Sequence, residues 1–365
     1  MGRSAYVNRI ATAVPPHEVH GKFRRFAPQL ITDPRARRLF ERMAERSGIE
    51  RRHSVLEPHA DDRELEAGGR FPRGAFPATK ARMALWEDHA PALAAAAVER
   101  LALGPDERPT HIIVTTCTGF HAPGIDIDLM QRLGLPGDVE RTVIGFMGCY
   151  AAINGLKTAH HIVRSEPQAQ VLLVNIELCT LHMQETDDLE ALLSFLLFAD
   201  GCAASLITAR PQGLEITGFH AAVVPDSDSH ITWRIGDGGF DMVLSGEVPT
   251  VIGRGLPAVM DDLRRRFPQE VRLWAVHPGG RSVLDAVERG LDLPAEALAA
   301  SRAVLRDYGN MSSPTVMFVL QRLMAEAEAD AEAEGREDAA DGLAMAFGPG
   351  LTAECMAFRT VPGHG

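Results

Sequence analysis

Two stretches of the chain are almost continuously apolar and rich in β-branched residues, HIIVTTC at 111–117 and VLLVNIEL at 171–178. Successive side chains of a strand point to opposite faces, so runs that are apolar at both parities predict strands covered on both sides of a sheet. Between them Ile153, Leu156, Ala159 and Val163 recur at three- and four-residue intervals, which predicts a helix from about Cys149 to Arg164. CAASLITA (202–209) reads as another strand. The second half repeats the alternation: a strand at VRLWAVH (271–277), a helix from Arg281, a helix over SSPTVMFVLQRLMAEAEA (312–329) and a strand at GLAMAF (342–347). That order predicts an α/β protein of two similar layered halves, residues 1–212 and 213–365, with no repeat visible in the sequence itself.

Nearer the N-terminus, RARRLFERMAERSGIERRH places Arg38, Arg42 and Arg46 four residues apart, on one face of a long surface helix. Residues 57–78 are rich in proline, glycine and charge and read as loop, and WEDHAPALAAAAVERLAL (86–103) returns to helix. The acidic stretch 325–342 reads as a helix end running into a solvated loop.

With 365 residues the chain exceeds the size at which one core keeps growing, which fits two core-sized units. The formal charge of −12 argues against nucleic acid as the main partner. The longest charge-free apolar stretch, Thr142–Leu156, is too short and too glycine-broken to span a membrane, and no secretory signal is visible, so the expectation is a cytoplasmic protein. Five widely spaced cysteines without a C-x-x-C pair speak against a zinc site or a disulfide framework.

Each cysteine then has to be judged alone, and Cys149 stands out. It lies in GFMGCYAA (145–152), after a strand-like run and before a helix. His277 ends a strand in WAVHPGG, and Asn310 lies in YGNMSS just before a helix. Ligand crevices in α/β sheets open at such strand ends. Taken singly, a cysteine in an apolar run ordinarily packs, a strand-end histidine is ordinarily a satisfied polar group, and GN before a helix is ordinarily a turn. Together the three have a chemistry. A helix N-terminus and an imidazolium would lower the thiol below its usual ~8.5 and expose a thiolate nucleophile. A carboxamide offers N–H donors to a developing oxyanion, where a carboxylate would repel it.

GFMGCYAA, WAVHPGG, YGNMSS and AFGPGL, in this order and at these separations, resemble the type III polyketide synthases, the chalcone synthase-like family of the thiolase fold. The resemblance runs from the arginine helix to Leu351. It implies a five-layered αβαβα sandwich, a homodimer, and an acyltransferase. Such an enzyme loads an acyl-CoA starter on Cys149 and extends it with malonyl-CoA, with His277 and Asn310 as the other catalytic residues and no cofactor or metal. It further implies Phe198 as one gatekeeper, Met242 in place of a second phenylalanine with Phe240 two residues earlier, and Cys117, Thr118, His182 and Ser194 as cavity lining. Gly348, Pro349 and Gly350 become a rigid cavity wall, and Arg42, Arg46 and Arg38 a coenzyme A phosphate site. Met242 points away from plant-type starters, toward alkylpyrone or alkylresorcinol products.

Two other enzyme classes share the order Cys, His, Asn. Papain-like hydrolases carry C-G-[SA]-C-[WY], which this chain lacks. A ketosynthase III-like condensing enzyme would take its extender from a carrier protein. An inactive scaffold would have no need of all three residues.

Overall fold

A computed structural model describes residues 4–334 and 339–361. The chain opens on strand β1 (Ala5–Ala13), followed by the short β2 (His17–Glu18), helices α1 (His20–Phe26) and α2 (Pro34–Glu45), and β3 (His53–Ser54). Helix α2 is shorter than the arginine pattern suggests, and local chemistry sets both ends. The Asp33 carboxylate caps it by accepting the N–H groups of Arg35 and Ala36 at 3.0 and 3.3 Å, with Pro34 in the first turn. Gly48 turns the chain away at φ +76°.

Residues 57–78 are irregular, and α3 (Thr79–Leu101) begins seven residues before Trp86, where the apolar pattern first becomes visible. Then come β4 (His111–Thr116), α4 (Ile125–Leu133), β5 (Glu140–Gly145), α5 (Ala151–Ser165), β6 (Val171–Leu178), α6 (Leu189–Leu197) and β7 (Asp200–Thr208). The second half holds β8 (Gly213–Val223), a hairpin of β9 (Ile231–Gly236) and β10 (Gly239–Leu244), α7 (Val248–Arg266), β11 (Leu273–Val276), α8 (Arg281–Gly290), α9 (Ala299–Tyr308), α10 (Thr315–Glu334), β12 (Asp341–Gly348) and β13 (Thr352–Val361). Helix α10 continues five residues beyond the predicted 329. Residues 335–338 of the predicted acidic loop lie outside the described residues.

Nine strands hydrogen-bond in the order β11-β12-β13-β8-β1-β7-β6-β4-β5. Strand β1 joins the halves, antiparallel to β7 along most of its length and to β8 over Ala5–Val7. The parity of each strand then sorts the layers. Ile113 and Leu173 on one half, and Ala344 and Met356 on the other, face a central layer of α5 and α10. Ile112, Val114, Leu172 and Val174 face the opposite way, onto α3 and α4. Leu343, Met345 and Cys355 face α7 and α8. The result is five layers, helix, sheet, helix, sheet, helix, with α5 and α10 buried between two half-sheets. Every residue of β4 and β6 is buried, as the continuous apolar runs require.

Candidate active site

The turn between β5 and α5 explains the residues around Cys149. Phe146 takes φ 55° and Gly148 φ 71°, both in the left-handed region, so the chain reverses sharply out of the strand. A Cβ on Gly148 would stand 2.4 Å from Pro349 Cδ, so glycine is required by the approach of the 348–350 segment as well as by φ. Phe146 is held by ring stacking on Phe120 at 5.2 Å. Cys149 itself sits in a single 3₁₀ turn, Gly148–Tyr150, and α5 starts two residues later than the apolar spacing predicted.

His277 follows β11, its N–H donating to Met345 O at 2.8 Å across the parallel pair with β12. Asn310 lies between α9 and α10. Its backbone continues the β7 side of the molecule: Asn310 N–H donates to Leu197 O at 2.9 Å and Ala199 N–H to Asn310 O at 2.9 Å, bridging it to Phe198. The side chain is fixed at both ends, with Oδ1 accepting Ser312 N–H at 2.8 Å and Nδ2 donating to Gly279 O at 3.3 Å, on the loop that follows His277. Cys149, His277 and Asn310, 128 and 33 residues apart in sequence, line one cleft of about 320 Å³. Phe198, Met242, Ser194 and Gly348 line it too, beside an apolar wall that includes Leu193, Leu197, Ile252 and Val283.

The electrostatics differ from the thiolate expectation. Burial pushes the Cys149 thiol up to about 11, only partly offset by the Ser312 hydroxyl and the Asn310 carboxamide beside it, with the nearby Glu177 raising it further. Burial likewise lowers His277 to about 3, and neither ring nitrogen has a hydrogen-bond partner among the described residues. Burial thus favours the uncharged form of each group. A low-dielectric site disfavours each lone charge. Neutral imidazole can take the sulfur proton as the thiol attacks, or donate an N–H to a carbonyl oxygen.

Several predicted site residues lie elsewhere. Phe240 is 2 % exposed and stacks on the His182 ring at 4.1 Å, away from the cleft that Met242, two residues on, reaches. His182 is fully buried: Nδ1 accepts Phe240 N–H at 3.0 Å and Nε2 faces Thr118 O at 2.7 Å, so the proton is on Nε2 and the ring holds the β9–β10 hairpin to the first half. Thr118 donates to Glu177 at 2.7 Å and accepts Leu178 N–H at 3.0 Å, a core role. Cys117 stands one shell behind the cleft, its sulfur 3.4 Å from Glu177 Oε1 and 3.7 Å from Ser312 Oγ. Pro349 packs against Gly148 from behind, and of Gly348, Pro349 and Gly350 only Gly348 is on the cleft wall. Arg38, Arg42 and Arg46 are exposed and form no ion pair among the described residues. Their neighbour Met43 lines the cleft, and Arg46 O accepts from Arg281 near its mouth.

Two residues escaped the sequence reading. Glu177 is an acidic residue inside the apolar run 171–178, a signal in plain sight. Fully buried, it accepts from Cys117 N–H at 2.9 Å, Ser313 Oγ at 2.7 Å and Thr118 Oγ1, and burial raises it to about 7. Arg52 was hidden in a basic run. Its guanidinium is 2 % exposed, and Nη1 donates to the carbonyls of Phe195, at 2.9 Å, and Phe198, clamping the segment that carries the cleft-lining phenylalanine.

The N-terminal domain model of chalcone and stilbene synthases matches residues 4–211, and the C-terminal domain model matches residues 215–362. The chain is 33% identical over 346 residues to the alpha-pyrone synthesis polyketide synthase-like Pks18 of Mycobacterium tuberculosis, covering 91% of this chain and 85% of that one. It is 34% identical over 336 residues to bisdemethoxycurcumin synthase of Oryza sativa subsp. japonica, covering 87% and 82%. Among solved structures, PKS-I from the brown alga Ectocarpus siliculosus superposes with a TM-score of 0.90 at 29% identity over 99% of both chains. With its thiol, imidazole and carboxamide gathered in one cleft of a thiolase-like fold, the chain belongs to the type III polyketide synthases, the acyl-transferring condensing enzymes of the chalcone and stilbene synthase family.

Proposed function

We propose that this enzyme loads a medium- or long-chain acyl group from coenzyme A onto Cys149, extends it with malonyl-CoA, and releases pyrone or resorcinol products. The observation that carries the reading is the convergence of Cys149, His277 and Asn310 on a cleft with an aliphatic wall and a methionine at position 242. A flexible thioether leaves a softer wall than an aromatic ring, and the alpha-pyrone named in the Pks18 relative agrees with a pyrone product.

In loading, the Cys149 sulfur attacks the thioester carbonyl as its proton passes to His277, and coenzyme A leaves as the thiol on taking that proton. In extension, the malonyl carboxylate departs as carbon dioxide and its bonding electrons move onto the thioester oxygen. The Asn310 Nδ2–H and a neutral His277 N–H hold that enolate. Its carbon then attacks the acyl group on Cys149, and the sulfur is released for the next round. No step calls for a metal or organic cofactor, because the thioester itself accepts the electrons. The exposure of Arg42, Arg46 and Arg38 on the helix that carries the cleft-lining Met43 supports assigning them to the coenzyme A phosphates. Residues 1–212 supply the nucleophile and 213–365 the histidine and asparagine.

The working form is a cytoplasmic homodimer. Strand β5 is one edge of the sheet, with Val143 44% exposed, and supports pairing with a second copy along that edge. All five cysteines are free, as a reducing compartment requires, and no helix among the described residues is long and apolar enough to cross a membrane.

The test is a panel of acyl-CoA starters with labelled malonyl-CoA and no carrier protein, products read by mass spectrometry. Carbon dioxide release with pyrones or resorcinols from aliphatic starters is the expected result. Activity appearing only with malonyl on a carrier protein would transfer the assignment to the ketosynthase III-like class.

A further inference from the structure

Helix α5 carries the nucleophile just before its N-terminus, and its other end borders a second cleft that the condensation chemistry does not use. At about 1.5 Å per residue, the 15 residues of α5 separate the two by roughly 22 Å. This cleft, of about 710 Å³, lies between the C-terminal half of α5, strand β8 and the end of α7. In a chain of net charge −12 its wall gathers Lys157, Arg164 and Arg266 with three histidines, His160, His161 and His220.

Of the carboxylates nearby, Glu354 is ion-paired, and Glu215, on the cleft wall, has no ion pair among the described residues. Glu354 takes Lys157 at 2.7 Å and Asn154 at 3.0 Å, and Glu215 accepts Ser4 Oγ at 2.6 Å. Arg266 has no ion pair among the described residues, and the polar contact of Arg164 is with His160 Nε2 at 3.5 Å. That contact makes Nε2 the acceptor and leaves the His160 proton on Nδ1. His160 is 6 % exposed and its Nδ1 has no partner; His220 is 7 % exposed and its Nε2 has none either, standing 3.8 Å from Asp262 Oδ2, beyond hydrogen-bond range. Leaving a buried polar atom unpaired costs about 1–3 kcal/mol. Both rings line the cleft beside the guanidinium groups of Arg164 and Arg266.

We propose that this cleft binds a phosphate-bearing small molecule, with Arg164 and Arg266 taking the charge and the His160 and His220 rings of its wall completing the contacts. Guanidinium pairs suit the tetrahedral oxygens of phosphate, and neutral imidazole donors add contacts without adding repulsion between cations. Because none of these residues lines the Cys149 cleft, the site is separate from the one that handles thioesters.

The test uses the full chain with ¹⁵N-labelled histidine, titrated with inorganic phosphate and, in a second arm, with adenosine 5′-monophosphate. Saturable shifts of the His160 and His220 ring signals are expected, with affinity reduced at least tenfold in an Arg164→Gln/Arg266→Gln variant and unchanged in an Arg42→Gln/Arg46→Gln variant. Equal affinity for the two ligands identifies free phosphate as the source, and tighter binding of the nucleotide identifies a nucleotide phosphate. Titrations that leave both ring signals unmoved overturn the site, as does equal affinity in the Arg164/Arg266 variant once circular dichroism shows it folded. Should that variant not fold, the ring shifts of the unaltered protein decide alone.

Discussion

Ser312 N–H donates to Asn310 Oδ1 at 2.8 Å, and this one bond settles which way the carboxamide faces. With the oxygen held by the backbone, Nδ2 is the end that turns toward the His277 loop and the cleft. Asn310→Asp keeps the acceptor and deletes the donor. Losing one oxyanion donor costs about 2.7–4 kcal/mol, a factor of about 10² to 10³. Malonyl-CoA decarboxylation is expected to fall by that factor, while acylation of Cys149, read by intact-protein mass, falls much less. Equal losses in both would remove the enolate role.

The burial of the Cys149 thiol makes a kinetic prediction. With Cys149 raised to about 11, the thiolate fraction of the free enzyme grows as pH rises toward that value. Alkylation of Cys149 by iodoacetamide should therefore accelerate steadily from pH 7 to 10, about tenfold per unit. A rate that levels off below pH 8 would show an imidazolium-stabilised thiolate instead. Cys149→Ala should abolish starter loading.

Met242 and Phe240 share a strand face but differ in what they touch. Met242→Phe narrows the cleft and is expected to reduce kcat/KM for the longest acyl-CoA starters about tenfold, leaving short starters and the unfolding midpoint nearly unchanged. Phe240→Ala removes the ring stacked on His182, and truncating a buried phenylalanine costs about 3–5 kcal/mol. Denaturant unfolding should register that loss, with the ranking of starters preserved. A changed ranking would return Phe240 to the cavity wall.

Glu177 predicts how stability changes with pH. Burial raises its folded value from 4.5 to about 7, so the folded state binds the proton more tightly than the unfolded chain does. Its contribution is fully present below about 4.5 and is lost as pH rises through 7, on the order of 3 kcal/mol at 1.36 kcal/mol per unit. Glu177→Gln cannot titrate, so its unfolding free energy should decline less between pH 4.5 and 7 than that of the unaltered chain. Parallel curves would show that folding does not raise the Glu177 carboxyl.

Much of the architecture follows from local pattern. Strands β4 and β6, buried on both faces, need apolar residues at both parities, and α5 needs one apolar stripe in three or four, so both are legible over short windows. Strand β1 and the β9–β10 hairpin are less legible, because the partners that bury them lie far away in sequence: β1 pairs β7 across about two hundred residues. Their polar positions make sense only once those partners are in place.

The amino-acid sequence by itself determined which chemical groups this protein carries, a thiol, an imidazole and a carboxamide at strand and helix ends, because residue type and local periodicity are written residue by residue. Only the tertiary structure decided their surroundings. It put Met242 in the cleft and Phe240 in the core, made His182 a hairpin anchor, and buried Cys149 and His277 where charge is disfavoured. Burial and dielectric are properties of the packed whole, summed over neighbours that the chain brings together from both halves.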